Sequence, residues 1–386
     1  MKQLFCSLLA LALCATQARA DDSLSDEAIL GTRGGFRIES MRLRFTHFDQ
    51  EGHGYQSQAD RPSPSSPGSE WLQVEQPQLE VVAQQGKFTH RLWVPIDVVS
   101  AASPDALDAV STASRTNEAA SFDLSSTYHA NPVTDVTLRA AFHLEEPFRS
   151  WTLGVAGSRS FADGNTTIAA SLNQVFDWLD RFNLFGTRLG RRYRSSTNAN
   201  LSVTQLLSPT TVGYLGYGVT VQIGELSNTW NAVPLDSGEL GLEVLPGLRH
   251  RHAFVGRIAQ ALPWKAVLKG FYRFYVDNWG ILAHTLEAQL YQRLGRQFYL
   301  RANYRFHVQT AASFFSLSAP AADGALRTAD SDLAAFDAQT VGILAGLDLK
   351  FVRRLQGLHL DVGYERYFRT NDLRVNIYTC SAGFRF

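Results

Sequence analysis

Five charged residues of both signs recur at alternate positions in three consecutive segments of the chain. They are Arg273 and Asp277, then Glu287, then Arg301 and Arg305. In an extended strand alternate side chains project from the same face, so each segment would present its charges on one face. Guanidinium and carboxylate groups on a shared surface bind polar or ionic solutes, or a charged partner, through ion pairs. The pattern therefore predicts a candidate binding cluster.

Other polar residues could bind a metal ion, but their spacing does not favour it. His250 and His252 would share one strand face, as metal-ligating histidines can. No cysteine or acidic cluster lies near them in sequence, so a basic rim is the preferred interpretation. Two acidic motifs lack the spacing of a dedicated calcium loop, namely Asp330-Ser331-Asp332 and Asp277-Asn278. The sequence therefore predicts neither a metal site nor a cofactor.

The common hydrolase motifs are absent, because the chain contains neither G-x-S-x-G nor H-E-x-x-H. A hydrolase built on β-strands can instead assemble a Ser–His pair across strands, so the motifs alone do not exclude one. Ser125 or Ser126 could pair with His129 or His143, but nothing in the sequence selects these residues over similar pairs. We therefore predict that the protein is not an enzyme.

Composition narrows the class of protein. The 36 basic and 36 acidic side chains give a net charge of +0, which argues against a nucleic-acid partner. The chain contains 24 Phe, 13 Tyr and 7 Trp. This aromatic content suits a membrane barrel with interfacial girdles, and it also suits a secreted β-sandwich. No later segment approaches the ~20 apolar residues of a transmembrane helix, so a helical membrane protein is excluded.

Residues 1–20 have the form of a secretory signal peptide. Lys2 precedes a short apolar run, and Ala18-Arg19-Ala20 forms an A-x-A cleavage site. Cleavage after Ala20 would leave Cys380 as the only cysteine, so no disulfide framework is expected. We predict export through this cleavable signal, a periplasmic N-terminal segment at 21–35, and an outer-membrane barrel over 36–386.

Most of the mature chain alternates apolar and polar residues in stretches of about 9–13 residues, longer than the ~5–6 residues of strands in soluble sheets. The alternation is weakest near the N-terminus of the mature chain. We predict about sixteen strands, with fourteen or eighteen as alternatives, because single-chain bacterial barrels use even numbers. The predicted strands are 36–48, 76–84, 88–98, 121–129, 134–144, 150–161, 166–177, 196–206, 211–223, 250–261, 266–277, 282–293, 298–309, 338–350, 357–369 and 374–386.

The expected fold is an all-β, transmembrane antiparallel β-barrel with short periplasmic turns and long extracellular loops. A soluble β-sandwich could show the same alternation, but it would not need an export signal, long uniform strands and alternating loop lengths together. The long loops are expected at 50–73, 100–120, 179–196, 225–249 and 311–336. Apolar faces turned to lipid place the charged faces in the lumen, among them the candidate cluster, Arg42, Arg44, Asp97, Glu365 and Arg369.

The last ten residues repeat the alternation and end on an aromatic residue. Their apolar positions are Tyr378, Cys380, Ala382, Phe384 and Phe386. This pattern resembles the C-terminal signal by which bacterial outer-membrane barrels are recognised for insertion. We predict that Tyr378, Phe384 and Phe386 form an assembly signal in the outer membrane of a Gram-negative bacterium. The expected partners are outer-membrane lipid and, during insertion, the barrel-assembly machinery.

Several motifs in the second half of the chain occur together. An R-x-R-x-A strand start lies at 249–253, and a Y-R-x-Y-x-D-x-W-G-I-x-S-H-T-L-E block covers 272–287 with two departures, Phe274 for Tyr and Ala283 for Ser. With further matches at 97–106, 165–167 and 304–309, the chain resembles an outer-membrane family known as domain of unknown function 3570. The resemblance implies a barrel and no reaction. It also suggests a periplasmic or lipoprotein partner in an envelope redox or export system.

Three functions are compatible with these features. The first is a channel or transport barrel for a small polar or ionic solute, which the charged inner face and the strand number favour. The second is a docking platform or sleeve for a periplasmic or lipoprotein partner. The third, an outer-membrane enzyme, has no motif to support it. The loops at 101–120 and 225–248 could fold into the pore or cap it.

Overall fold

A computed structural model describes residues 35–52, 72–102, 117–145, 147–228, 231–349 and 357–386. The expected signal peptide, nearly all of the 21–35 segment and most of the 101–120 loop lie outside the described residues. Within the described part, sixteen long strands form one closed antiparallel barrel, and two short strands form a separate hairpin. None of the helices in this part of the chain is long and apolar enough to cross a bilayer.

The sixteen predicted barrel strands are all present, so the predicted strand number is confirmed. The short hairpin consists of β10 (Ala232–Pro234) and β11 (Leu240–Leu242). The barrel strands are β1 (Phe36–Gly52), β2 (Leu72–Gln85), β3 (Phe88–Ala102), β4 (Asn117–Asn131), β5 (Thr134–Glu145), β6 (Phe148–Phe161), β7 (Thr166–Phe182), β8 (Arg188–Ser208), β9 (Thr211–Gly224), β12 (Leu248–Leu262), β13 (Ala266–Asp277), β14 (Leu282–Leu294), β15 (Phe298–Gln309), β16 (Phe336–Asp348), β17 (His359–Arg369) and β18 (Leu373–Arg385).

The first and last strands close the barrel. β1 pairs antiparallel with β18, with Met41 opposite Phe384 and Phe45 opposite Cys380. The backbone N–H of Phe386 donates to the carbonyl of Glu39 at 3.0 Å, which extends the pairing to the last residue. Every barrel strand therefore has two neighbours, and no strand edge is left to meet lipid with unpaired backbone groups.

Short turns lie at the end of the barrel where β1 begins and β18 ends. Gly86, Gly164 and Gly295 adopt positive φ in the turns β2–β3, β6–β7 and β14–β15. Glycine adopts this conformation at little cost because it has no Cβ. In bacterial barrels the end with short turns faces the periplasm, and the other end faces the exterior.

The predicted loop at 179–196 is wrong. β7 continues to Phe182 and β8 begins at Arg188, so the connection is only a short turn. Ion pairs between the two strands explain the longer ladder. Arg194 contacts Asp177 at 2.6 Å, and Arg188 contacts Asp180 at 2.6 Å. These polar pairs hold strand structure in a segment whose charged sequence had indicated a loop.

Over most of the barrel the outward faces of the strands are apolar and the inward faces are polar. Leu215 and Val362, both outward, are 70 % and 66 % exposed in the isolated chain. Outward tyrosines near the extracellular end have polar partners, including Tyr217 with His252 and Tyr272 with His284, both at 2.8 Å. Tyrosines with an apolar ring and a hydrogen-bonded hydroxyl are typical of the interfacial girdle of a membrane barrel.

Two extracellular segments, 225–247 and 310–335, pack together into a unit that we call the extracellular cap. Val233 lies in the first segment and Ala319 in the second. Both are fully buried, at 0 % exposure, in one apolar cluster. The backbones of Val244 and Arg327 exchange two hydrogen bonds of 3.0 and 2.9 Å. The cap is therefore an ordered structure with its own small core.

Candidate functional site

The five residues of the predicted cluster face separate partners. Arg305 pairs with Glu287 at 2.6 Å, whereas Arg301 reaches Glu365 on β17 at 3.0 Å. Asp277 pairs with Arg249 instead, and the guanidinium of Arg273 lies 5.3 Å from the ring centroid of Tyr275. The cluster is thus divided into several local interactions, and joint binding of one solute by all five residues stays a prediction.

Asp277 occupies a structural corner at the extracellular end of β13. One carboxylate oxygen accepts the backbone N–H groups of Trp279 and Ile281, each at 3.0 Å. The other accepts Arg249 Nη2 at 2.6 Å and the hydroxyl of Tyr275 at 2.8 Å. The side chain of Asp277 is 0 % exposed. We call this arrangement the Asp277 corner.

The corner supports the extracellular cap. Arg249 stacks over the indole of Trp279, with its guanidinium carbon 4.0 Å from the ring centroid. Trp279 and Ile281 form a buried apolar cluster with Ala312 and Leu333 of the cap. The residues of the D-x-W-G-I block thus connect the barrel wall to the cap, a role that no spacing argument could reveal.

The cap bonds to strands on opposite sides of the ring at the extracellular end of the barrel. Arg181, near the end of β7, pairs with Glu225 of the cap at 2.7 Å. Arg369, at the end of β17, pairs with Asp332 of the cap. β7 and β17 stand half-way round the ring of strands from each other. The cap is therefore attached to opposite walls of the barrel. The described part of the 225–248 loop accordingly lies at the extracellular end.

A buried carboxyl group joins the two segments of the cap. Glu243 is 1 % exposed and accepts hydrogen bonds from the Thr328 hydroxyl at 2.6 Å and the backbone N–H of Asn228 at 2.5 Å. Burial raises the pKa of Glu243 from 4.5 to about 7, and the nearby Asp330 adds to this rise. Burial also raises the pKa of Asp330. The junction is therefore most stable when Glu243 holds its proton.

Most other charges on the inner wall are also paired between strands. Arg91 contacts Glu80 and Arg139 contacts Asp123, each at 2.6 Å. Such pairs neutralise the wall locally and hold both side chains against it. Several inner-face residues form no ion pair within the part of the chain that the structure describes, among them Arg42, Arg44, Asp97, Lys269 and Arg273.

A cavity of 520 Å³ lies inside the barrel, and we call it the trans-lumen cavity. Its lining includes Glu145 on β5 and Arg305 on β15. These strands stand half-way round the ring from each other, so the cavity reaches from one wall to the other. Its volume falls within the range of small-molecule sites, about 300–1,000 Å³.

One side of the trans-lumen cavity is apolar, although it faces the lumen. Phe48 on β1, Val74 on β2, and Val375 and Ile377 on β18 line it together. These three strands are neighbours at the closure of the barrel. This apolar surface was not predicted from the sequence. The weak alternation of the first two strands was the feature that could have indicated it. Apolar residues on both faces blur the alternation that identifies a strand.

The sequence-predicted Ser–His pairs do not form. His129 bonds Thr89 at 2.8 Å and Asp135 at 2.8 Å, while His143 bonds Ser121 at 2.7 Å. Ser126 bonds His90 at 2.6 Å. His252 faces the membrane girdle through its bond to a tyrosine, and no group of three metal-ligating side chains occurs among the described residues.

The residues of the predicted assembly signal lie on the last strand. Tyr378 faces outward, is 49 % exposed and lies 5.1 Å from the ring of Tyr364. Phe384 faces outward opposite Met41 of β1. Phe386 ends the chain on the periplasmic side, next to Glu39. These positions leave the aromatic side chains accessible along the final strand, and their role in assembly stays a proposal.

Deletion of Phe386 is expected to reduce the amount of assembled barrel in the outer membrane several-fold, because it removes the terminal aromatic residue and the bond to Glu39. Membrane fractionation and the heat-dependent shift of the barrel in SDS gels measure this. Phe161→Ala is the matched control, since Phe161 is an exposed aromatic residue beside another periplasmic turn. Equal assembly of the deletion and the control would contradict the assembly-signal interpretation.

Solved outer-membrane proteins show distant similarity to this barrel. A bacterial polysaccharide outer membrane secretin aligns with TM-score 0.49 and 8 % identity, over 90 % of this chain and 98 % of its own. A BenF-like porin from Pseudomonas fluorescens Pf-5 aligns with TM-score 0.45 and 9 % identity, over 90 % and 99 %. OpdK of Pseudomonas aeruginosa, with vanillate, aligns with TM-score 0.44 and 8 % identity, over 91 % and 100 %. These similarities are too distant to bear on function.

Comparison with curated proteins returns no match. A family model does match, and its description is "Protein of unknown function (DUF3570)". It covers residues 95–379, which extend from β3 to β18 and include the Asp277 corner. Because the match covers most of the chain, this protein belongs to the DUF3570 family.

Proposed function

We propose that the protein is an outer-membrane channel that passes small polar or ionic solutes, with the trans-lumen cavity as its solute site. The observation that carries this proposal is the cavity of 520 Å³ between opposite walls of a closed barrel. Sixteen strands enclose a lumen too wide for side chains alone to fill, and this lumen has space at a position where both walls carry charged groups.

The paired charges of the wall also support passage. A channel must bind its solute weakly enough to release it, so a wall with many unpaired charges of one sign would trap ions. Here Arg301, Arg305 and Arg139 each contact a carboxylate on the wall itself. A polar lining in which many charges are paired on the wall suits movement of solutes through the barrel.

Single-channel recording in planar bilayers tests the proposal. The purified wild-type barrel is expected to conduct, and Val375→Trp, which fills part of the cavity, is expected to reduce the conductance roughly by half. Val362→Trp is the matched control, because Val362 is 66 % exposed on the outward face. A barrel that stays sealed at all voltages would count against the proposal, as would equal conductance of the two tryptophan variants.

A second candidate function is docking of an acidic periplasmic or lipoprotein partner. A cavity of 500 Å³ at the periplasmic end favours it, because three arginines outnumber two carboxylates in its lining, namely Arg42, Arg293 and Arg385 against Glu80 and Asp348. Arg42 forms no ion pair among the described residues. Crosslinking from envelopes through a photoreactive residue at position 42 would test docking, and the absence of any reproducible partner would argue against it.

The proposed location is the outer membrane of a Gram-negative bacterium, reached through cleavage of the signal at residues 1–20. Its support is the A-x-A motif before Asp21 together with the barrel that follows.

A further inference from the structure

The positive and negative charges that line the trans-lumen cavity do not cancel. The charged residues that line it are Asp97, Glu145, Glu365 and Arg305. Glu365 is neutralised by Arg301 at 3.0 Å, and Arg305 is neutralised by Glu287 at 2.6 Å. Glu145 lies 3.5 Å from a histidine nitrogen. The remaining charge of the cavity is therefore negative.

Asp97 is the source of the uncompensated charge. Its carboxylate accepts one hydrogen bond, from the amide of Gln76 at 2.5 Å. A neutral amide satisfies an oxygen of the carboxylate but supplies no positive charge. Among the described residues, the inner-face cations without an ion pair do not line this cavity; they are Arg42, Arg44, Arg251, Arg257, Lys269 and Arg273. A cation that enters the cavity would therefore meet a carboxylate that has no cationic partner among the described residues.

An apolar surface lies beside this carboxylate. Phe48, Val74, Val375 and Ile377 line the same cavity as Asp97. Water against such a surface is displaced favourably by an apolar group, whereas a small hydrated ion gains nothing from it. A carboxylate beside an apolar surface fits a ligand that has one positively charged head and an apolar body.

The geometry points to a small organic cation, such as a primary amine on an aromatic or aliphatic body, as the ligand of the trans-lumen cavity. The ammonium group binds Asp97 and the body packs against the apolar side. This inference rests on the proposed channel function and specifies its solute class. It assigns to Asp97 a binding role within the cavity.

Occlusion of single-channel current by three matched ions tests the inference. Phenethylammonium has the cationic head and the apolar body, phenylpropionate has the same body with a negative head, and methylammonium has the head without the body. With the wild-type barrel, phenethylammonium is expected to occlude the current at concentrations about tenfold lower than either of the others.

Two variants measure separately how the cationic head and the apolar body of the ligand contribute to occlusion. Asp97→Asn is expected to weaken occlusion by phenethylammonium about tenfold, because it removes the negative charge. Ile377→Thr is expected to weaken it about threefold while leaving methylammonium unchanged. Asp135→Asn is the matched control, since Asp135 is an inward carboxylate that already contacts His129 at 2.8 Å and does not line the cavity.

The outcomes distinguish the two proposals. A wild-type barrel that never conducts overturns the channel function, and this inference with it. A conducting barrel that phenylpropionate occludes as well as phenethylammonium overturns the inference and leaves the channel function intact. If Asp97→Asn fails to assemble, the three ions on the wild-type barrel and on Ile377→Thr still decide between these results.

Discussion

Asp277→Ala is expected to lower the free energy of unfolding of the barrel by about 3–5 kcal/mol, because it leaves a buried guanidinium without its partner. The side chains of Arg249 and Asp277 are 10 % and 0 % exposed, so water cannot replace the lost carboxylate. The backbone N–H groups of Trp279 and Ile281 lose their acceptor as well. Urea unfolding of the refolded barrel in detergent, followed by tryptophan fluorescence, measures the change.

Two further variants locate the cause of this loss. Glu39→Ala removes an ion pair of 3.5 Å with exposed Arg37, and such pairs contribute about 0–1 kcal/mol, so little change is expected. The double variant Asp277→Ala with Arg249→Met removes both buried charges and should recover part of the stability. If Asp277→Ala unfolds at the same urea concentration as Glu39→Ala, the corner is not a stabilising element.

The same corner explains part of the family motif. Asp277 was predicted as part of the binding cluster, and Trp279 and Ile281 follow it in the family block. In the structure all three stabilise a turn and its contact with the cap. A charged residue at an inward strand position can serve either purpose, because alternation predicts the face but not the partner. The partner of Asp277 lies on β12, 28 residues earlier in sequence.

The strands were predictable because their side-chain period is two and most of them have one apolar face. The boundary errors occur where that period fails. Residues 179–196 carry charges on both faces, and cross-strand pairs such as Asp177 with Arg194 extend the ladder beyond the membrane. Phe48 and Val74 are apolar but inward, so the first strands look irregular in sequence. Both residues line the trans-lumen cavity, so the irregular pattern follows from an inner wall that is apolar there.

The cap could not be predicted from sequence. It depends on contacts between segments about 85 residues apart, such as Glu243 with Thr328. Neither segment shows the periodicity of a helix or a strand over more than a few residues, so no pattern indicates how they meet. The inward position of Asp97 was predictable from alternation. That it has no cationic partner among the described residues could be seen only from the registers of three strands.

The buried carboxyl of the cap makes the stability of the cap depend on pH. Below pH 4.5 Glu243 is protonated in the folded and the unfolded cap alike, so the stabilisation is fully present. As the pH rises from 4.5 to about 7, the unfolded cap releases this proton and the folded cap retains it, so stability falls. Above about pH 7 the loss is complete, at roughly 3 kcal/mol for this shift.

Charged groups around Glu243 determine whether another titration could mimic this effect. Asp330, whose pKa burial also raises, changes stability in the same direction. Arg181 holds the backbone carbonyl of Glu243 at 3.0 Å and the carboxylate of Glu225 at 2.7 Å. Arg369 pairs with Asp332 on the far side of the mouth. The guanidinium groups stay charged across this range, so the carboxyls of the junction dominate the response.

Between pH 5 and pH 8, the hydrogen-exchange protection factors of the Val244 and Arg327 amides are expected to fall about a hundredfold in the wild-type protein. These two amides bond each other's carbonyls across the junction, so they report its opening directly. Glu243→Gln keeps an acceptor oxygen but cannot ionise, and its protection should change little over the same range. Glu239→Gln, an exposed acid in the same segment, should behave as the wild type. If Glu243→Gln retains the full pH dependence, the junction opens for another reason, and Asp330→Asn becomes the test of whether its carboxyl is the one that titrates.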